Sequence, residues 1–327
     1  MGQRIIVVAA CALATFGPPA AAQNWKPERP VEIIVPTTPG GSVDLTARLL
    51  QRVLQDTGLV KVPVTVVNKP GGGGAVSLVY INQHPGDGHY LATNTPNIIA
   101  NDINGRTPVR YTEVTALATL ASQYTAVAVR VDSPLKTGKD LIDRLRKDPA
   151  SLAVSTPTTL GSVNHMAYAL VARAAGVDVK KLKAVILGSG GDGATAVLGR
   201  HVDAHVGTTS SVILMVESGK LRVLAIAAPK RIGAPYEATP TWAEQGFPVV
   251  MDTWRGVIGP RGMTRDQIAF WNGVFAKAVT TDTWRQAVQA NSWEANYLDS
   301  EETKKLFDSN FTEYRSILTD LGLLKEK

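Results

Sequence analysis

Three glycine-rich runs hold most of the chemistry this chain can offer. Pro39-Gly40-Gly41-Ser42-Val43-Asp44 and Asn68-Lys69-Pro70-Gly71-Gly72-Gly73-Gly74 each follow a short apolar run and precede a stretch with helical character. A turn that ends a strand and opens a helix points bare backbone N–H groups outward at the positive end of the helix, and so binds an anion without a charged side chain. Ser42 and Asp44 suit the cap and first turn of the first helix. Four consecutive glycines are costly in chain entropy, so the second run implies a close approach of backbone to something else. A plainer reading makes both runs flexible strand-to-helix turns. Two of them near one sheet edge favour a site, because open α/β sheets bind ligands beyond the C-terminal ends of their strands.

The third run, Gly188-Ser189-Gly190-Gly191-Asp192-Gly193, fits G-x-G-x-x-G after a strand. A dinucleotide fingerprint should also open a full helix and place an acidic residue about 20 positions later. Here Ala194–Leu198 stops at Gly199-Arg200, position 208 is Thr208, and no acid lies between Asp203 and Glu217. Catalysis has little foothold. Gly40-Gly41-Ser42-Val43 is followed by Asp44 rather than the glycine of a nucleophile elbow, and no H-E-x-x-H or P-loop occurs. His201, Asp203 and His205 share one strand face, yet a metal needs three or four converging ligands and His201 follows a Gly-Arg turn. No metal and no cofactor is expected.

The elements that must hold these runs can be read from periodicity. Val31–Val35, Val64–Asn68 and Tyr90–Thr93 read as strands. Leu45, Leu49 and Val53 with Leu50 and Leu54 give one apolar helical face, and Ala75–Gln83 continues as a helix. In the middle, Leu152–Ser155, Lys183–Leu187 and Ala204–Gly207 are strand candidates. Ala126–Val129 and Leu221–Ala227 read as two crossings that flank them. Helices follow around Asp266–Val279 and Glu301–Leu323.

Composition narrows the class. The 327 residues carry a formal charge of +6 without a block of like charges, so no nucleic-acid footprint is expected. Met1 to Ala22 reads as a signal peptide, with Arg4, an apolar run from Ile5 to Phe16 and small residues at Ala20 and Ala22. Val8-Ala9-Ala10-Cys11 resembles a lipoprotein site, but the apolar stretch before Cys11 is too short, and cleavage before Gln23 is preferred. Cys11 is the single cysteine, which leaves the mature chain without disulfides or thiolate metal sites.

Taken in order, the first two glycine runs, Pro85-Gly86-Asp87-Gly88-His89-Tyr90-Leu91, Leu160-Gly161-Ser162-Val163-Asn164-His165, Gly188 to Asp203, and Trp254-Arg255-Gly256-Val257 with Gly259-Pro260-Arg261-Gly262-Met263 resemble the Bug or TctC family, the extracytoplasmic solute receptors of tripartite tricarboxylate transporters. The resemblance spans about residues 25 to 323. It implies an α/β, two-domain periplasmic binding protein of type II-like architecture with a ligand cleft between lobes. One domain would comprise 23–125 plus 229–327, and the other 126–228. In that family the first two loops hold a carboxylate through backbone amides, hydroxyls and ordered water. Carried over, Gly40, Gly41, Ser42, Asn68, Gly72, Gly73 and Gly74 form that half of the site, with Asp44 capping the first helix and Asn94 joining them. Ser162, Gly190, Gly191 and Asp192 would meet the far end of the ligand. His165 is a site residue or packs inside its helix, Trp254 is a pocket wall or core, and Arg255 is a charge partner. Relatives often carry an aromatic residue where this chain has Leu187, which puts the distal pocket's shape in question.

The resemblance further implies a non-catalytic periplasmic receptor that captures a small di- or tricarboxylate. It would act as a monomer and deliver the ligand to an integral membrane permease with large and small subunits. A ligand-presenting sensor for a two-component system and an exported enzyme acting on carboxylates are the alternatives.

Overall fold

The computed structural model describes residues 25–324; the expected leader, its cleavage site and Cys11 lie outside them. The chain first lays down β1 (Val31–Val35), α1 (Ser42–Asp56), β2 (Val64–Asn68), α2 (Ala75–Asn82), β3 (Tyr90–Asn94), α3 (Asn97–Ile103) and β4 (Thr115–Ser122). It then builds β5 (Thr125–Arg130), α4 (Gly138–Lys147), β6 (Ala153–Pro157), α5 (Val163–Ala174), β7 (Lys183–Leu187), α6 (Gly190–Leu198), β8 (Ala204–Thr208), α7 (Thr209–Glu217) and β9 (Leu221–Ile226). The last elements are β10 (Arg255–Gly259), α8 (Arg265–Ala278), α9 (Asp282–Ala290), β11 (Glu294–Leu298) and α10 (Ser300–Asp320).

The strands form two sheets, and each sheet is the floor of one lobe. The first has the order β11-β4-β10-β3-β1-β2 and the second β7-β6-β8-β5-β9. β1 runs parallel to β2 and β3, whereas β10 is antiparallel to β3 and β4. Both faces of β1 are buried: Val31, Ile33 and Val35 pack with Leu50, Leu54 and Trp271, while Ile34 packs with Ile81, Ile99 and Trp254. That explains its largely apolar sequence, broken only by the half-buried Glu32, since a doubly covered strand hardly meets water. In the second lobe Val154 and Val206 join Leu141 and Met166, and Ala126 and Val223 join Val197 and Val212 on the other face.

Two details differ from the periodicity. The buried stripe of α1 is Val43, Ala47, Leu50 and Leu54, and Leu45 is 40 % exposed. The segments expected as crossings, β5 and β9, lie wholly inside the second sheet and pair antiparallel with each other. The chain passes between lobes just outside them, where Gln123 N donates to Thr253 O (3.3 Å) and Thr253 N to Gln123 O (2.7 Å). Tyr124 faces Asp252 in the same two-stranded link.

Candidate functional site

The first glycine loop delivers the N-terminus of α1 into the cleft. Gly41 is its N-cap in an extended conformation and no side chain caps the helix. The first-turn amides of such a helix have no intrahelical acceptor and stand ready for an anion. Asp44 does not cap it as the sequence implied. Its carboxylate accepts from Gly40 N (3.0 Å), Arg48 Nε (2.8 Å) and Asn68 Nδ2 (2.9 Å), which ties the loop to the end of β2. Burial pushes Asp44 up, but the hydrogen bonds from Arg48, Gly40 and Asn68 outweigh it and hold the carboxyl below its ordinary value. Asp44 and Asn68 therefore shape the loop, and their polar atoms are committed to each other, to Arg48 and to backbone.

The second loop needs all four of its glycines. Gly71 to Gly74 have φ of 130°, 57°, 66° and 108°, a run of left-handed conformations closed to other residues. A Cβ on Gly73 would sit 2.4 Å from Thr159 Cγ2 of the other lobe, so the close approach implied by the sequence is made by the opposite lobe. Asn101 braces the loop, its Nδ2 donating to Gly73 O (2.7 Å) while its Oδ1 accepts from Thr159 Oγ1 (3.1 Å).

Arg255 lies at the start of β10, 1 % exposed, and its Nη2 donates to Ser42 Oγ (2.8 Å). Its Nε is buried without a partner. Burial lowers the guanidinium to about 9, partly countered by the charge of Asp252, still above neutral pH. A buried cation with an unused donor is costly unless something anionic completes it. Ser42 Oγ also accepts from Thr208 Oγ1 across the cleft (3.4 Å).

In the second lobe α5 and α6 meet this face with helix ends that satisfy themselves, while α7, whose N-cap Thr208 reaches Ser42 across the cleft, has no side-chain cap. Ser162, fully buried, caps α5 by accepting from His165 N (3.4 Å) and donates to Pro157 O (3.2 Å). Both oxygen roles are taken inside its own loop, so it is a cap rather than a ligand donor. His165 Nδ1 accepts from Gly161 N (3.1 Å), and burial, with the Arg106 charge adding, lowers the ring to about 4; it is a neutral clamp on the loop. Ser189 caps α6 through Asp192 N (3.1 Å), which gives the G-x-G-x-x-G run a local structural role. Asp192 accepts from Thr38 Oγ1 of the first lobe (3.4 Å). Trp254 stacks on Phe307 and donates to Asn310 Oδ1 (2.8 Å), and is core. Asp203 accepts from Ala153 N (2.7 Å) and His205 Nδ1 is paired with Ser155 Oγ (2.9 Å), so the 201/203/205 trio is divided among separate partners.

One cavity lies between the lobes. Of the residues predicted from sequence, Gly41, Ser42, Gly73, Gly74, Asn94, Gly190 and Arg255 line it. Gly40, Asp44, Asn68, Gly72, Ser162, His165, Gly191, Asp192 and Trp254 stand behind or beside the lining. Residues missed by sequence reasoning complete it, among them Asn97, Thr158, Asn164 and Thr208. Asn97 links the lobes, donating to Thr158 Oγ1 (3.2 Å) and accepting from Val163 N (3.1 Å). It follows β3 by three residues, so the rule that sites gather beyond strand C-termini could have found it. Thr158 has φ +71°, a strained value for a β-branched residue of the kind that clusters at functional sites; its type gives no hint of this. Asn164 Oδ1 accepts from Thr125 Oγ1 (3.2 Å). Arg255 is the one charged residue in a lining otherwise built from hydroxyls, amides, glycines and apolar groups.

Comparison with known proteins agrees with this architecture. The sequence pattern of TctC, described as tripartite tricarboxylate transporter family receptor, matches residues 47–323. Protein BugT of Bordetella pertussis is 27 % identical over 326 residues, covering 98 % of each chain. Among solved structures, R. palustris Rpa4515 with adipate superposes with a TM-score of 0.83 at 24 % identity, covering 90 % of this chain and 98 % of that one. MatC (Rpa3494) from Rhodopseudomonas palustris with bound malate gives 0.81 at 21 %, over 89 % and 99 %. These structural likenesses bear on the fold.

Proposed function

The chain belongs to the tripartite tricarboxylate transporter receptor family of solute-binding proteins, and from that premise we propose that it captures a small di- or tricarboxylate in the cleft, in the periplasm, for delivery to a membrane permease with large and small subunits. The observation that carries the reading is Arg255: a buried guanidinium, joined to Ser42 at the uncapped end of α1, whose Nε has no protein partner. A carboxylate lodged there gains a charge-assisted hydrogen bond and the helix end at once. The neutral donors around it suit a ligand rich in acceptors. The malate and adipate held by MatC and Rpa4515 support a linear C4–C6 diacid as the first ligand to try.

Capture requires the lobes to part and close. The cavity, about 50 Å³, is lined by residues of both lobes, among them Ser42 and Asn94 of the first and Thr158 and Thr208 of the second. The two-stranded link at Gln123–Thr253 and Tyr124–Asp252 is short enough to bend as a hinge. No side chain trio in the cleft suggests turnover, and among the described residues no helix is long and apolar enough to cross a membrane.

The test is a thermal-unfolding screen of the protein against mono-, di- and tricarboxylates, amino acids and sugars. A ligand at about 100 times its Kd adds roughly 2.7 kcal/mol of stability and a visible rise in midpoint. The expected result is a rise with di- or tricarboxylates that Arg255→Gln abolishes while the ligand-free protein still folds. A rise with sugars alone, or one that Arg255→Gln leaves intact, sinks the reading.

A further inference from the structure

Arg255 completes its surroundings on one side with Ser42 and, once occupied, with ligand. On the other side its charge must be balanced by the protein. The acid whose field reaches it is Asp252, three residues earlier on the same crossing. Arg255 is registered against Ala121 of β4, and the next residue, Ser122, donates its hydroxyl to Asp252 Oδ2 (3.0 Å). Asn296 Nδ2 of β11 in turn donates to Ser122 Oγ (2.8 Å). The second oxygen, Asp252 Oδ1, is buried without a partner, as is Arg255 Nε. Two half-satisfied groups of opposite charge thus flank the start of β10, one facing the hinge and the other the cleft.

We propose that Asp252 is the standing counter-charge of Arg255, a positioning residue for carboxylate capture, and that binding is therefore coupled to uptake of a proton at Asp252. The inference rests on the carboxylate reading of the cleft. The charged and titratable groups facing Asp252 are Arg255, three residues on at the start of β10, Glu294 of β11, held by Tyr124 OH (2.9 Å), and the phenols of Tyr124 and Tyr314. Burial raises the Asp252 carboxyl to about 6, with Glu294 adding to the rise, while Ser122 and Arg255 oppose it. A ligand carboxylate on Arg255 neutralises the cation that lowers Asp252 and adds a negative charge nearby. Both effects favour the protonated form. The bound-state value then lies above the free-state value, so the affinity gained from this group is fully present below the free-state value and is lost as pH rises through the interval between them.

The experiment is titration calorimetry with malate and with adipate at pH 6 and pH 8, in two buffers of different ionisation heat. If binding raises the carboxyl by one unit, affinity is about fivefold weaker at pH 8 and protons are taken up from buffer. Asp252→Asn, which cannot ionise, should bind with no pH slope and at pH 8 at least as tightly as the unaltered protein. A merely structural role predicts weaker binding at both pH values, and that outcome, or a flat profile in the unaltered protein, overturns the proposal. A second measurement separates it from the functional reading: the Asp252 carboxyl is titrated by carbon NMR without ligand, in the unaltered protein and in Arg255→Gln. A midpoint that moves up in Arg255→Gln supports the pairing even if neither acid binds, in which case the choice of ligand fails. An unmoved midpoint overturns the pairing itself.

Discussion

Three of the helices that turn their N-termini toward the cleft, α1, α5 and α6, show the lobes treating the end differently, although α7 of the second lobe, whose N-cap Thr208 also lines the cavity, has no side-chain cap. In the first lobe α1 begins at Gly41 with no side-chain cap and a buried cation beside it. In the second lobe α5 is capped by Ser162 and α6 by Ser189, and Val163 N is taken by Asn97 from across the cleft. A helix end left open is a binding group, and one closed by its own serine is a structural group. The first lobe joins an open helix end to a buried cation, so on the proposed reading it holds the stronger attraction for an anion, and the second lobe, whose α7 is open at Thr208, acts as the lid. On that proposed reading, closure would be driven by ligand seated on the first lobe, together with hydroxyl and amide contacts such as Thr208–Ser42 and Asn101–Thr159.

Acid should widen this difference most. The two histidines clamped inside the second lobe, His165 and His205, are each lowered by burial to about 4 from 6.5. A histidine whose folded pKa lies below its unfolded one costs nothing above about pH 6.5 and destabilises the fold as pH falls from there toward 4. The full effect is on the order of 3 kcal/mol for each. Asp252, raised by burial to about 6, works the other way, because protonation removes a largely buried charge at the hinge. Hydrogen exchange read by mass spectrometry, corrected for intrinsic rate, should show α5 and β8 losing protection between pH 6.5 and 4 before β1 and α1 do. Simultaneous loss in both lobes would remove the distinction.

The next largest effect comes from capping the open helix. Gly41 is extended (φ −79°, ψ 166°), so other residues fit its backbone. Gly41→Asp would accept the first-turn amides and place a fixed carboxylate where the ligand's belongs. Carboxylate binding should fall by about 100-fold, equivalent to roughly 2.7 kcal/mol, while the ligand-free protein keeps its stability or gains a few tenths of a kcal/mol from the cap. A Cβ at this position lies 3.1 Å from Ser189 Cβ, so Gly41→Ala reports the cost of crowding alone. Equal losses in the two variants would mean that steric closure, rather than the open amides, governs binding.

How much of this was legible in the sequence depended on the range of the interaction. Val31–Val35, Val64–Asn68 and Lys183–Leu187 are strands over the same residues that the apolar runs marked; burial accounts for the run in β1, whereas β2 and β7 are partly exposed edge strands marked by their β-branched residues, a local signature all the same. The glycine loops were visible for the same reason, since their backbone demands are local. β11, with exposed and half-exposed residues at an edge, left no apolar run to find. Arg255 showed only as a charge near a tryptophan. Its importance comes from Ser42, 213 residues away, and from an unfilled hydrogen bond that no residue type announces. Ser162 and His165 looked like ligand groups because a cap and a binding loop use the same residues; only their partners tell the two apart. The resemblance to the TctC receptors supplied the cleft, which spacing alone did not.

The smallest predicted effect is the sharpest on the division between lobes. Ser162→Ala and Ser189→Ala each remove one capping acceptor from a helix of the second lobe, at a cost of about 1 kcal/mol in stability. For Ser162 the cost should be the greater of the two, since its hydroxyl is fully buried and also satisfies Pro157 O, whereas Ser189 borders the cavity. If the second lobe is a lid, both variants unfold a few degrees earlier, and each retains its carboxylate affinity within about threefold. Titration of the same acid into both variants, with unfolding midpoints measured alongside, decides it. A tenfold loss of affinity in Ser189→Ala would make that hydroxyl a ligand contact and extend the binding half of the cleft onto α6. The same loss in Ser162→Ala could act only through α5, moving the open-helix argument to Asn164, which lines the cavity.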